Sequence, residues 1–114
     1  MGENIEKMFL ICPVRNSKKD YNQVVQKLEQ KYKVHWPPRD TDQKDTIGFR
    51  ICTDNMKAIQ EADIIGVIWD GESQGCLFDL GIAFALGKNI KIINIPEKLN
   101  KKSFQDMMIY WSEK

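Results

Sequence analysis

One carboxylate stands apart in this chain. From Ser73 to Gly87 the sequence runs Ser-Gln-Gly-Cys-Leu-Phe-Asp-Leu-Gly-Ile-Ala-Phe-Ala-Leu-Gly, and Asp79 is the single charge in it. A carboxylate on an apolar helix is desolvated, which raises its pKa, while the positive helix N-terminus about one turn away lowers it. Such a group is either a reactive oxygen or the partner of a basic residue such as Arg15 or Arg39. Ser73 and Gly75 open the same helix just after an apolar run, where a hydroxyl and free N–H groups can hold a phosphate. The plainer alternative is an N-cap followed by a tight-turn glycine. Neither a Walker lysine nor a GxGxxG stretch is present, so no triphosphate or dinucleotide site is indicated.

The remaining reactive residue types are sparse. His35 is the only histidine and has no metal-ligating company nearby, so the His35-Trp36 pair reads as structural or as a surface for stacking a base. Cys12, Cys52 and Cys76 are odd in number and widely spaced, which fits neither a disulfide framework nor a zinc site and agrees with a reducing, cytoplasmic setting. Cys76, at the helix start, is the one whose thiolate a dipole would favour. No metal and no cofactor is expected.

The elements that must position these residues follow from the apolar pattern. Met8 to Cys12 form an apolar run stopped by Pro13, the mark of a buried central strand within 7–14. Ser17 and Asp20 read as an N-terminal capping pair for a helix whose stripe is Tyr21, Val24, Val25, Leu28 and Tyr32. A short strand, 34–36, ends at Pro37-Pro38, and the polar stretch 39–46 reads as a loop. A helix over 48–61 leads into a strand at 63–69, then the loop 70–75. The helix after Ser73 spans 74–86 and stops at Gly87-Lys88, with Leu77, Leu80, Gly81 and Phe84 expected to face the sheet. A strand at 90–95 and a helix from Ser103, with Phe104, Met107, Met108 and Trp111 as its stripe, complete the chain.

Strands that alternate with helices and lack period-two patterning imply a parallel sheet covered on both faces. The expected fold is one α/β domain over 1–114, a flavodoxin/Rossmann-like three-layer arrangement with four to five parallel strands in order 2-1-3-4. Ligands then bind at the carboxyl ends of the strands, here 12–16, 36–40 and 69–75. Across 114 residues, 17 basic and 16 acidic side chains give a net charge of +1, which supplies no drive toward nucleic acid or an anionic membrane. No uncharged run approaches the roughly 20 residues of a membrane helix. A helix apolar all round needs a second covered side beyond its own sheet, and a homodimer through 74–86 is the economical expectation.

Three blocks, in the same order and on the same elements, resemble the nucleoside 2-deoxyribosyltransferase superfamily, which includes 2′-deoxynucleoside 5′-phosphate N-glycosidases. Phe9-Leu-Ile-Cys-Pro-Val-Arg15 is similar to its first strand and turn, with Cys12 in place of a glycine. Asn55-Met-Lys-Ala-Ile-Gln-Glu-Ala-Asp63 is similar to its helix leading through an Ala-Asp step. The stretch from Ser73 to Lys88 is similar to Ser-x-Gly-x-x-x-Glu-Leu-Gly-x-Ala with a Gly-Lys exit. The resemblance implies that Asp79 stands where a glutamate attacks C1′ of a nucleoside, one methylene shorter. Asn55 stands where an aspartate orients or protonates the base. It further implies that Cys12, Pro13 and Arg15 lie along the substrate, that Ser73 and Gly75 face a 5′-phosphate, and that the chain dimerises through this helix. Trp36, at a strand's carboxyl end, joins the substrate-binding candidates as a surface for stacking a base. The expected activity is cleavage or transfer at an N-glycosidic bond of a nucleoside or its 5′-monophosphate. A module of the same fold that binds a nucleotide or ADP-ribose without turnover is the alternative.

Overall fold

The computed structural model describes residues 5–13 and 21–114. Strands β1 (Lys7–Ile11), β2 (Lys33–His35), β3 (Ile64–Ile68) and β4 (Ile90–Asn94) form a parallel sheet in the order β2-β1-β3-β4. This is the order expected from short crossovers, and with helices on both faces it makes a three-layer, flavodoxin/Rossmann-like α/β fold. Along β1 the side chains alternate between layers. Phe9 and Ile11 join one buried cluster, Leu10 and Cys12 the other. The apolar run is therefore continuous because both faces are covered.

The two layers are unequal. Helix α1 (Asn22–Leu28) lies on the Leu10 face through Val25, whereas α3 (Phe49–Glu61), α4 (Gln74–Ala85) and α5 (Phe104–Ser112) share the Phe9 face through Ile59, Leu80 and Met108. Helix α4 thus has a helix on either side of it. Its sheet-facing residues are Cys76, Leu80 and Ala83, while Leu77, Gly81 and Phe84 line an apolar groove of about 270 Å³ against Phe104, Met107 and Met108 of α5. Leu80 faces the sheet as expected from sequence, whereas Gly81 and Phe84 turn toward α5 instead. The two small residues let the helix backbone approach the sheet, and α5 takes up the stripe that carries Phe84. The groove accounts within the chain for part of the apolarity of α4, although Phe78, Phe84 and Leu86 stay exposed at 55%, 64% and 42%.

Other boundaries differ for local reasons. Residues 39 and 40 are not loop: Pro37 and Pro38, pre-set for helical φ, start the single turn α2 (Pro37–Asp40). The Asp40 carboxylate accepts from Trp36 N at 2.8 Å, which closes that turn. Gly48, at φ +92°, supplies no side-chain cap to α3. Asp45 does so from outside, its Oδ2 accepting from Arg50 N (2.8 Å) and Ile51 N (3.1 Å). Helix α1 ends at Leu28, so Tyr32 packs from a turn instead of from the helix stripe. The expected cap Ser17 and its partner Asp20 lie outside the described residues. Among the described residues, no helix is long and apolar enough to cross a membrane.

Candidate functional site

The carboxyl ends of β1 and β3 lie side by side, and the chain leaves them in opposite senses, as expected at a switch point of strand order. A cavity of about 730 Å³ opens there, within the ~300–1,000 Å³ span of small-molecule sites. Pro37 and Gln43 line part of the wall, and four further places supply the rest. The end of β1 gives Cys12 and Pro13, α3 gives Cys52 and Asn55, the loop after β3 gives Asp70 and Glu72, and the first turns of α4 give Ser73, Gly75 and Asp79. Six of the eight residues singled out from sequence therefore share one cavity. Trp36 does not line it; its ring packs in the cluster beneath α1. Arg15 lies outside the described residues.

The loop that delivers α4 is built by short side chains. Asp70 Oδ1 accepts from Glu72 N and Ser73 N, both at 2.9 Å, and Ser73 Oγ accepts from Cys76 N at 3.3 Å. Ser73 is thus an N-cap, which leaves its hydroxyl proton free to donate. At the far end Gly87 takes φ +68°, and Lys88 donates to Gln60 O (2.9 Å) and Ala62 O (2.8 Å). The exit lysine therefore ties the end of α4 to the end of α3, the two helices that carry Asp79 and Asn55.

Asp79 has neither a hydrogen bond nor an ion pair among the described residues. Desolvation pushes its carboxyl from 3.8 up to about 7. Pairing with Arg39 does not occur, since that guanidinium is held by Glu29 (3.1 Å) and Asp40 (2.8 Å) and donates to Val34 O at 3.1 Å. A lone carboxylate half buried in a cavity wall can act as a nucleophile when ionised or as an acid when protonated. The other described charges in the wall are Asp70 and Glu72, with no lysine or arginine among them. Arg15, Lys18 and Lys19 follow Pro13 directly in the chain.

Burial overrides the helix dipole at Cys76. Cys76 is pushed up to about 12 and Cys12 to about 11, so the thiolate expected at Cys76 is disfavoured instead. The buried indole N–H of Trp36 lies beside the Cys12 sulfur, where it offsets part of the effect of burial. No cluster of three or more metal-ligating side chains occurs among the described residues.

A second feature, which meets the wall at Asn55, was not legible from sequence. Thr41, at the end of α2 and 6% exposed, donates its hydroxyl proton to Asn55 Oδ1 at 2.8 Å. His35 Nε2 meets Thr41 Oγ1 at 2.9 Å, and the imidazole stacks on Phe9 with centroids 5.3 Å apart. Burial lowers the His35 pKa, favouring the neutral ring. Thr41 sits in a stretch that reads as polar loop, and only the return of α2 beneath α3 brings it to Asn55. The chain matches no model of a known protein family, and no curated protein matches it significantly.

Proposed function

We propose that the protein is an enzyme that cleaves or transfers at the N-glycosidic bond of a nucleoside or nucleoside 5′-monophosphate, with Asp79 as the nucleophile. The observation that carries this reading is the Asp79 carboxylate, unpaired among the described residues, in the wall of a nucleotide-sized cavity that the amide of Asn55 also lines. The ionised Oδ attacks C1′, the C1′–N bond breaks with its electron pair going to the base, and the base takes a proton from solvent. Water, or a second base, then attacks C1′ and releases the carboxylate. With the carboxyl pKa at about 7, roughly half of Asp79 is ionised at neutral pH.

Ser73 and Gly75 at the start of α4 suit the 5′ end of the ligand, and Arg15 is the cation proposed to neutralise a phosphate there. Cys12 and Pro13 border the sugar. The sequence resemblance to 2-deoxyribosyltransferases points the same way. The exposed side of α4 around Phe78, Phe84 and Leu86 is the proposed homodimer face. Sedimentation at tens of micromolar should give a dimer, and a monomer there removes that part of the proposal.

The competing reading, a binding module without turnover, draws on Asn55, which cannot protonate a leaving base as a carboxylic acid would. Base release measured over deoxynucleosides, their 5′-monophosphates and NAD separates the two. Release that disappears in Asp79→Asn supports the enzyme. Tight binding with no release from any of them supports the module.

A further inference from the structure

We infer that Thr41 and His35 are positioning residues that fix the polarity of the cavity wall at Asn55, so that the site selects a ligand edge that accepts a hydrogen bond. The inference builds on the nucleotide reading above and names the kind of base: one with a carbonyl oxygen where the amide meets it, such as a 6-oxopurine, over one with an amino group there.

The reasoning follows the protons. A threonine hydroxyl has one proton to give, and Thr41 gives it to Asn55 Oδ1 at 2.8 Å. Its oxygen can then only accept from His35, so the 2.9 Å contact requires the proton to sit on His35 Nε2. The direction of the whole chain, from imidazole to hydroxyl to amide, is set by this. With Oδ1 held by Thr41, the Nδ2 hydrogens of Asn55 are the polar group left for the cavity, and they have no acceptor among the described residues. Turning the amide over would need the hydroxyl proton and the imidazole tautomer to reverse together.

The three residues are locked from different directions. Thr41 and Asn55 are only 6% and 7% exposed, so water does not substitute freely for a lost partner. Gln43 Nε2 donates to Pro37 O (2.8 Å) and Thr41 O (3.2 Å), pinning the turn that presents the hydroxyl. Phe9 stacks on the imidazole and holds its plane. A base that offers an N–H to Asn55 Nδ2 meets donor against donor, whereas a carbonyl completes the chain.

The test is equilibrium binding of 2′-deoxyinosine and 2′-deoxyadenosine 5′-monophosphates, whose edges differ in polarity at C6, in an Asp79→Asn background that cannot cleave them. The inosine ligand should bind about tenfold or more tightly. Asn55→Asp, which presents a carboxylate oxygen in place of the amide nitrogens, should reverse the order. Thr41→Val, of similar size but without the hydroxyl, should erase the preference, and Thr41→Ser should keep it. His35→Phe, which retains a ring against Phe9 but has no N–H, should weaken it. A purely structural role for Thr41 would lower both affinities together and leave their ratio unchanged, which overturns the inference. So does equal binding or a preference for the adenine ligand in the parent protein. A preserved preference without base release in wild type overturns the N-glycosidase alone, and failure of both ligands to bind overturns both.

Discussion

Replacing Asp79 by asparagine should stabilise the protein, and the gain should depend on pH. Desolvation raises the carboxyl from 3.8 to about 7 in the folded state. The folded protein therefore holds a proton at pH values where the unfolded chain has released it, and stability falls as pH rises from about 4 to about 7. Above that window wild type carries the full penalty of an ionised carboxylate with no partner among the described residues, whereas the amide carries no charge to desolvate. Roughly three units at about 1.4 kcal/mol each set an upper bound of ~4 kcal/mol. Asp79 borders a cavity open to water, so we expect a gain of about 1–3 kcal/mol at pH 8. Urea unfolding of both proteins at pH 8 and pH 4.5 measures it. The gain should be less than half as large at pH 4.5, and base release by wild type should rise through pH 7 while the variant releases none. Two proteins with the same pH dependence of stability would refute the desolvation argument, whatever the catalytic outcome.

Asp79→Glu should preserve or raise turnover if the sugar sits where a glutamate reaches it, and slow it if the site is fitted to the shorter acid; kcat for base release decides. Half-buried Cys52 should be alkylated by iodoacetamide at pH 8 well before Cys12 and Cys76, whose thiols burial holds at about 11 and about 12; peptide mass spectrometry after timed quenching reads the order. Gly66→Ala should cost about 1–3 kcal/mol in chemical denaturation, because a Cβ there would come within 2.7 Å of Met8 Sδ and 3.2 Å of Leu10 Cδ1 in a closed layer.

What the sequence could tell followed from signals that act locally. Apolar runs closed by Pro13 and Pro37 marked strands, Ser73 and Gly87 bracketed α4, and short crossovers left few strand orders other than 2-1-3-4. The meeting of Cys12 and Ser73 came from knowing where strand ends meet, whereas Asn55 and Asp79 were assigned to the same site through the family resemblance. Rotation of α4 was misread because a helix with apolar residues on every side carries little phase information, and α5 competes with the sheet for the same residues. Thr41 went unseen for a different reason. Its value lies in two contacts, at sequence separations of 6 and 14, neither of which has a periodic signature.

The guanidinium of Arg39 has a consequence beyond denying Asp79 a partner. Strand β2 is an outer strand of a parallel sheet, and outer strands offer unpaired backbone groups to any extended peptide that passes. Here the strand is only three residues long, two prolines follow within three positions of its end, and Arg39 donates to the Val34 carbonyl itself. Arg39 is in turn moored by Glu29 at the end of α1 and by Asp40. A recruited strand would have to displace a salt-bridged side chain to pair at Val34, so this margin of the sheet resists fibril-like growth.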